Sequence, residues 1–363
     1  MAHGLAQLAV RPGAASMKVA VVCPYDIGVP GGVQAQVLGL TRFLRGSGEE
    51  AWVVAPGNLS DSRLPIRSVG SSLSIRANDS VAPLALDPRV SGRVRAAVAD
   101  ADVVHIHEPF IPVVSWAALR SNSAQVLTFH ADPPRWAAAV YTAGRPALER
   151  IVRRAGAVTA VSPVAAAPLR RLGIEPVIVP NAVGLPEGVP DLIGRGPTVS
   201  FVGRDEPRKG LDVLLAAWPE VVGAVPDAHL SVISRDRGAA VPGVTYHPDV
   251  TDGQRDEMLA DSAVFVAPNR RGESFGITVA EAMAQGCAIV ASDLPAFRHV
   301  GGEALTYVPP GDPRALADAV SQLLIDEPRR VALGQTAAST AQRYGWQAVG
   351  EVYVEMYHNA VHS

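Results

Sequence analysis

The 363-residue chain is 48% hydrophobic and 18% charged, which supplies apolar content for two cores and excludes general disorder. No stretch reaches the roughly 18 apolar residues that span a bilayer, and the nearest, between Arg154 and Arg170, is interrupted by Pro163 and Pro168. The net charge of −3 divides into +5 over residues 1–190 and −8 over 191–363, too mild for a nucleic-acid partner.

Residues 1–16 lack the apolar core of a signal peptide and precede Met17, so they read as a loose leader. From Lys18, strand and helix alternate. Lys18–Cys23 is a β-branched run suited to a strand buried on both faces. A Gly/Pro turn at 24–32 leads into a helix on which Val33, Val37, Leu40 and Leu44 share a face. Further strands are predicted at Trp52–Ala55, Val103–Ile106, Val126–Phe129, Val158–Val161 and Val177–Val179. Residues 183–197 are dense in Gly and Pro, a linker signature. The alternation restarts at Val199–Val202, with a helix near Leu211–Val222 and strands at Leu230–Ile233 and Val264–Ala267. A helix near Ile277–Gln285 and a strand at Ala288–Ala291 follow. The expected architecture is α/β, two Rossmann-like parallel-sheet domains (17–182 and 198–340) facing a central cleft. Residues 341–363 read as a terminal amphipathic helix that can pack back on the first domain. The two cysteines, Cys23 and Cys287, sit far apart in apolar runs, which argues against a disulfide framework or a zinc site and fits a reducing cytosol.

Three motifs carry chemistry. Gly28, Gly31 and Gly32 follow the first strand and open the first helix, where backbone amides can approach an anion; a plain α/β turn reads the same way. Arg204 and Lys209 stand on the loop after the first strand of the second domain, placed to converge on a diphosphate. Lysine occurs only at positions 18 and 209 among 32 basic residues, so Lys209 invites a specific role. The third is Gly272-Glu273-Ser274-Phe275-Gly276-Ile277, continuing to Glu281: Glu273 lies before a helix and Glu281 inside its otherwise apolar run, where an unpaired carboxylate is costly. Glu281 therefore takes either a structural partner, a cation or a cap, or ligand hydroxyls. His105 and His107 share one side of a strand and read as a packed pair rather than a metal site, while His130 ends a strand at the cleft. Asp100-Ala-Asp102 precedes a strand, at the wrong end for a metal motif.

In this order, the Gly-Gly loop, Gly-Arg…Arg-Lys-Gly, Glu-x7-Glu and Met-Ala-x-Gly resemble the retaining GT-B glycosyltransferases of family 4. The segments 22–34, 105–109, 128–130, 205–210 and 272–277 resemble its phosphatidylinositol mannosyltransferase branch. The resemblance implies GDP-mannose as donor, phosphatidylinositol as acceptor, and neither cofactor nor metal. It makes Arg204 and Lys209 the diphosphate clamp, with the amides of Gly32, Phe275, Gly276 and Ile277 and the neighbouring Ser274. It gives Glu281 the ribose, Glu273 the transferred sugar, and Val250 and Asp252 the guanine. Tyr25, Gln34 and His130 fall on the sugar or acceptor side. A cytoplasmic enzyme acting on a lipid also implies weak, peripheral docking on an anionic membrane, for which Arg63, Arg67, Arg76, Arg89, Arg93 and Arg95 are the candidates. The alternatives are another nucleotide sugar, a soluble acceptor, or a sugar-nucleotide binder without catalysis.

Overall fold

Short apolar, β-branched runs separated by helices build two sheets in which every strand pair is parallel. The computed structural model describes residues 16–59, 63–77, 80–85, 87–130, 145–236 and 238–362; the leader lies outside them apart from Ser16. The first sheet comprises β1 (Lys18–Val22), β2 (Glu50–Ala55), β3 (Ile66–Ser68), β6 (Val103–His107), β7 (Ala124–Phe129), β8 (Ala157–Ala160) and β9 (Val177–Ile178). Its order is β3-β2-β1-β6-β7-β8-β9, with Val19 registered against Ala51 on one side and Val103 on the other. The second comprises β10 (Thr198–Val202), β11 (His229–Ile233), β12 (Val244–His247), β13 (Val264–Ala267), β14 (Ala288–Ser292) and β15 (Leu305–Val308), in the order β12-β11-β10-β13-β14-β15. In each sheet the strand order reverses direction beside the first strand, and ligands bind at the carboxyl ends there. The sheet centres are dry: Val19, Val104, Val264 and Val290 are fully buried.

The structure adds elements that periodicity did not reveal. β3, β12 and β15 are edge strands, and β4 (Leu73–Ala77) and β5 (Ser80–Leu84) form a separate antiparallel hairpin. The segment 183–197, composed like a free tether, is instead pinned down. Val183 donates to the Tyr344 carbonyl at 2.8 Å, so the two crossings between domains run side by side. Arg195 donates to the carbonyls of Ser262 and Gln285. The last helix, Trp346–His362, returns to the first domain and packs on the helix Gly32–Gly46. The contact is close because Gly39 faces Trp346 and Gly350 faces Phe43; a Cβ at either glycine would lie 2.0 or 2.2 Å from those rings.

Candidate active site

Every candidate residue follows the carboxyl end of a strand. Tyr25, Gly32 and Gln34 come after β1, His130 after β7, and Arg204 and Lys209 after β10; Val250 and Asp252 follow β12, and the segment from Glu273 to Glu281 follows β13. The β10 loop tightens into a 3₁₀ turn, Pro207–Lys209, and ends at Gly210 with φ +72°. A Cβ at Gly210 would lie 2.0 Å from the Pro268 carbonyl oxygen, so glycine alone lets this loop rest on the end of β13.

That contact brings Lys209 to Glu273. Lys209 Nζ lies 2.9 Å from Glu273 Oε2, and Asn269 Nδ2 donates to the same oxygen at 3.0 Å. Burial pushes the Glu273 carboxyl up, but the charge and hydrogen bond of Lys209, helped by Arg208 and the Phe275 amide, outweigh it and hold the carboxyl below its ordinary range. Arg204 Nη1 is 3.3 Å from Glu206 Oε1, whose other oxygen takes Arg208 Nε at 2.8 Å. Arg208 also donates to the Gly272 carbonyl at 3.2 Å, tying the two loops together. The expected assignments put Lys209 on phosphate and Glu273 on sugar; the structure pairs them with each other. The reason is electrostatic, since half-buried opposite charges neutralise one another when held this close. The Phe275 amide is likewise taken by the Glu273 carboxylate, which leaves Gly276 and Ile277 to open the helix Ile277–Ala284. Asn269, Glu206 and Arg208 were not singled out, although two of them lie inside the Arg204–Lys209 motif.

Glu281 has a cation beside it. Arg255 Nη2 lies 3.1 Å from Glu281 Oε1, while Nη1 holds Asp252 at 3.0 Å and Nη2 also reaches Asp256 at 3.3 Å. Burial pushes the Glu281 carboxyl up to about 7, against the opposing pull of Arg255. One arginine thus joins the stretch around Val250 and Asp252 to the Glu281 carboxylate. Its signal was the solitary Glu281 in an apolar helix, which required a cation from elsewhere.

On the first domain, Asp26 organises the glycine loop: its carboxylate accepts from the Gly28 amide at 2.9 Å and the Ser72 hydroxyl at 2.6 Å. Gln34 is buried and donates to the Asp26 carbonyl at 3.3 Å, so its amide supports the loop rather than facing the cleft. Tyr25 is half-buried and bridges to Leu84 of the hairpin. His130 turns its ring inward, with Nε2 2.7 Å from His107 Nδ1. His107 stacks on His105 with centroids 4.3 Å apart, and His105 bonds Tyr357 of the last helix at 2.6 Å. Burial lowers all three imidazoles, His130 to about 4 and His105 to about 3, so the stack is neutral near pH 7.

Two glycine-capped helices face each other across the domains. Gly31 caps Gly32–Gly46 and Gly276, with φ +99°, caps Ile277–Ala284. A Cβ at Gly32 would lie 3.1 Å from Ile277 Cδ1, so the two helix N-termini are neighbours. The Glycosyltransferase Family 4 description matches residues 30–185, and Glycosyl transferases group 1 matches 196–326. The phosphatidyl-myo-inositol mannosyltransferase of Mycobacterium leprae is 38% identical over 94% of this chain and 96% of its own. That of Propionibacterium freudenreichii is 34% identical over 94% of each chain. The chain belongs to the family 4 glycosyltransferases. A glycosyltransferase from Rickettsia africae, 15% identical, superposes over 96% of this chain and 99% of its own with a TM-score of 0.72, and the shared fold is GT-B. In this glycosyltransferase two further sequence readings resolve. Asp100 holds Arg67 at 2.6 Å and Asp102 accepts from the Lys18 amide at 2.8 Å, so both carboxylates serve the far end of the sheet. Arg67 also stacks 4.0 Å over Trp52, so both its charge and its flat face are engaged within the domain. Arg63, Arg89, Arg93 and Arg95 are exposed, and the Arg76 side chain lies outside the described residues.

Proposed function

We propose that the enzyme transfers mannose from GDP-mannose to the inositol ring of phosphatidylinositol, with retention of anomeric configuration and without a metal. The observation that carries the donor half is the meeting of two glycine-capped helix N-termini, with Lys209 held against Glu273 just before one of them and Arg204 on the same loop as Lys209. Uncapped amides at positive helix ends, flanked by two cations, suit a diphosphate. As the sugar leaves, positive charge develops at the anomeric carbon and negative charge on the diphosphate, which Arg204 and Lys209 stabilise. Lys209 turning from Glu273 to phosphate frees that carboxylate for the sugar hydroxyls. Transfer then proceeds on one face of the sugar: the acceptor hydroxyl forms the new bond as the phosphate bond breaks, and its proton passes to the departing phosphate oxygen. Glu281 takes the ribose, Val250 and Asp252 the guanine, and His130 and Tyr25 border the acceptor.

The relatives, which are phosphatidyl-myo-inositol mannosyltransferases, support the mannosyl and inositol-lipid halves. Docking is reversible in this reading: each exposed arginine near an anionic cytoplasmic leaflet contributes about 1 kcal/mol. Incubation with GDP-mannose, UDP-glucose or UDP-galactose, against phosphatidylinositol vesicles or soluble inositol phosphate, tests it. Mannolipid formed from GDP-mannose alone is the expected product. Transfer only to the soluble acceptor, or only from a UDP-sugar, overturns the corresponding half.

A further inference from the structure

Ser162 follows β8 and caps the helix Pro163–Arg171, its Oγ accepting the Ala165 amide at 3.1 Å. The same Oγ donates to the Ser274 carbonyl in the second domain. A hydroxyl has one proton and two lone pairs, so this side chain serves a helix end and a distant loop at once. Ser162 is fully buried, and the bond lies beside a continuous apolar contact between domains. Phe275 meets Tyr344 edge-on at 5.5 Å, and Phe275, Phe297 and Val300 share one buried cluster with Val161, Ala165 and Leu169. Ser274 itself stands between Glu273 and Phe275, whose amide holds the Glu273 carboxylate.

We propose that Ser162 is a positioning residue for transfer: by anchoring the Ser274 carbonyl it sets where the Glu273 loop is presented to the first domain. The role of Glu273 rests on the donor-site reading above; the contact between domains does not. Separation of the domains breaks this bond, so Ser162 favours the arrangement in which the two halves of the site are in register.

Two variants separate the cap from the crossing contact. Ser162→Gly retains a tolerated N-cap and loses the donor, whereas Ser162→Thr retains both functions. In protein without nucleotide, amides of residues 275–280 in Ser162→Gly should exchange hydrogen about 3- to 10-fold faster than wild type, the worth of one hydrogen bond. Ser162→Thr should restore them. Under transfer conditions, kcat of Ser162→Gly should fall by a similar factor, with the donor KM changing less. Faster exchange confined to residues 163–171 makes Ser162 a cap alone and overturns the proposal, as does wild-type exchange throughout. If wild type neither binds GDP nor turns over a nucleotide sugar, the donor-site reading fails, while the exchange comparison still decides the contact.

Discussion

Removing one partner of the Lys209–Glu273 pair exposes how the site is balanced. The ammonium and carboxylate are 2.9 Å apart, with side chains 17% and 14% exposed, so neither is well solvated. Deleting one member of such a pair strands the other and costs about 3 to 5 kcal/mol, whereas replacing both is far milder. In a domain of this size each kcal/mol moves the melting temperature by about 2 to 4 °C. Lys209→Met should therefore lower it by roughly 6 to 20 °C near pH 7. Glu273→Gln alone should cost a similar amount, and combining it with Lys209→Met should recover about half of the Lys209→Met loss, roughly 2 kcal/mol, instead of adding the two costs. The pH dependence carries a sign. The folded Glu273 carboxyl lies below its ordinary 4.5, so its contribution is present above that value and fades as pH falls through the folded one. In Lys209→Met the largest lowering influences are gone and burial raises the carboxyl, so stability should instead decline as pH rises. Differential scanning fluorimetry between pH 3 and 8 on wild type, Lys209→Met, Glu273→Gln and the double variant reads both effects. Additive melting shifts, or a Lys209→Met pH slope of the wild-type sign, would refute the coupling.

Three further outcomes follow from the geometry. Glu281, raised to about 7, is stable as the neutral acid below its unfolded 4.5 and loses stability as pH rises through 7; a ribose contact needs the carboxylate, so GDP affinity should increase across pH 6 to 8. Calorimetry giving a flat profile over that range removes Glu281 from the ribose. Gly210→Ala places a side chain at φ +72° and against Pro268, and should lose at least about 1 to 3 kcal/mol together with transfer activity; an unchanged melting temperature would mean that the loop does not rest on β13. Changing Arg89, Arg93 and Arg95 together to Ser should abolish low-salt sedimentation with anionic vesicles, whereas Arg67→Gln should lose under about 1 kcal/mol of stability and bind them normally; equal effects on vesicle binding would refute this division.

Legibility of the fold tracked burial on two faces. β1 and β13 lie inside their sheets with both side-chain rows apolar, and β6 and β10 keep enough buried valines beside His105, His107 and Ser200 for their runs to stand out. β3, β12 and β15 are edges with one neighbour each, and residues such as Arg67, Thr245 and Thr306 interrupt the pattern. The 183–197 segment misled for a different reason. Its glycines and prolines mark irregular backbone, but whether irregular backbone is tethered depends on side chains such as Arg195 finding carbonyls far along the chain.

The site divides along the same line. Lys209, Glu273 and Glu281 were legible because each is anomalous where it stands: a rare lysine, a carboxylate in a short glycine-bounded loop, and a charge in an apolar helix. Asn269, Arg208 and Arg255 are ordinary polar residues on loops and helices, and they acquire roles only when the ends of β10, β12 and β13 converge. Pattern therefore identifies the charges that need partners, while the fold decides which partners they get. Here the partners are one another, Lys209 with Glu273, Arg204 with Glu206 and Arg255 with Glu281. In the proposed donor site, an anionic ligand exchanges places with these carboxylates because no undivided positive field is formed. If Arg204 and Lys209 act as the proposed diphosphate clamp, the net gain from each is the difference between its phosphate contact and its carboxylate contact, so Glu206→Gln or Glu273→Gln should change the donor dissociation constant, and an unchanged constant in both would refute the exchange.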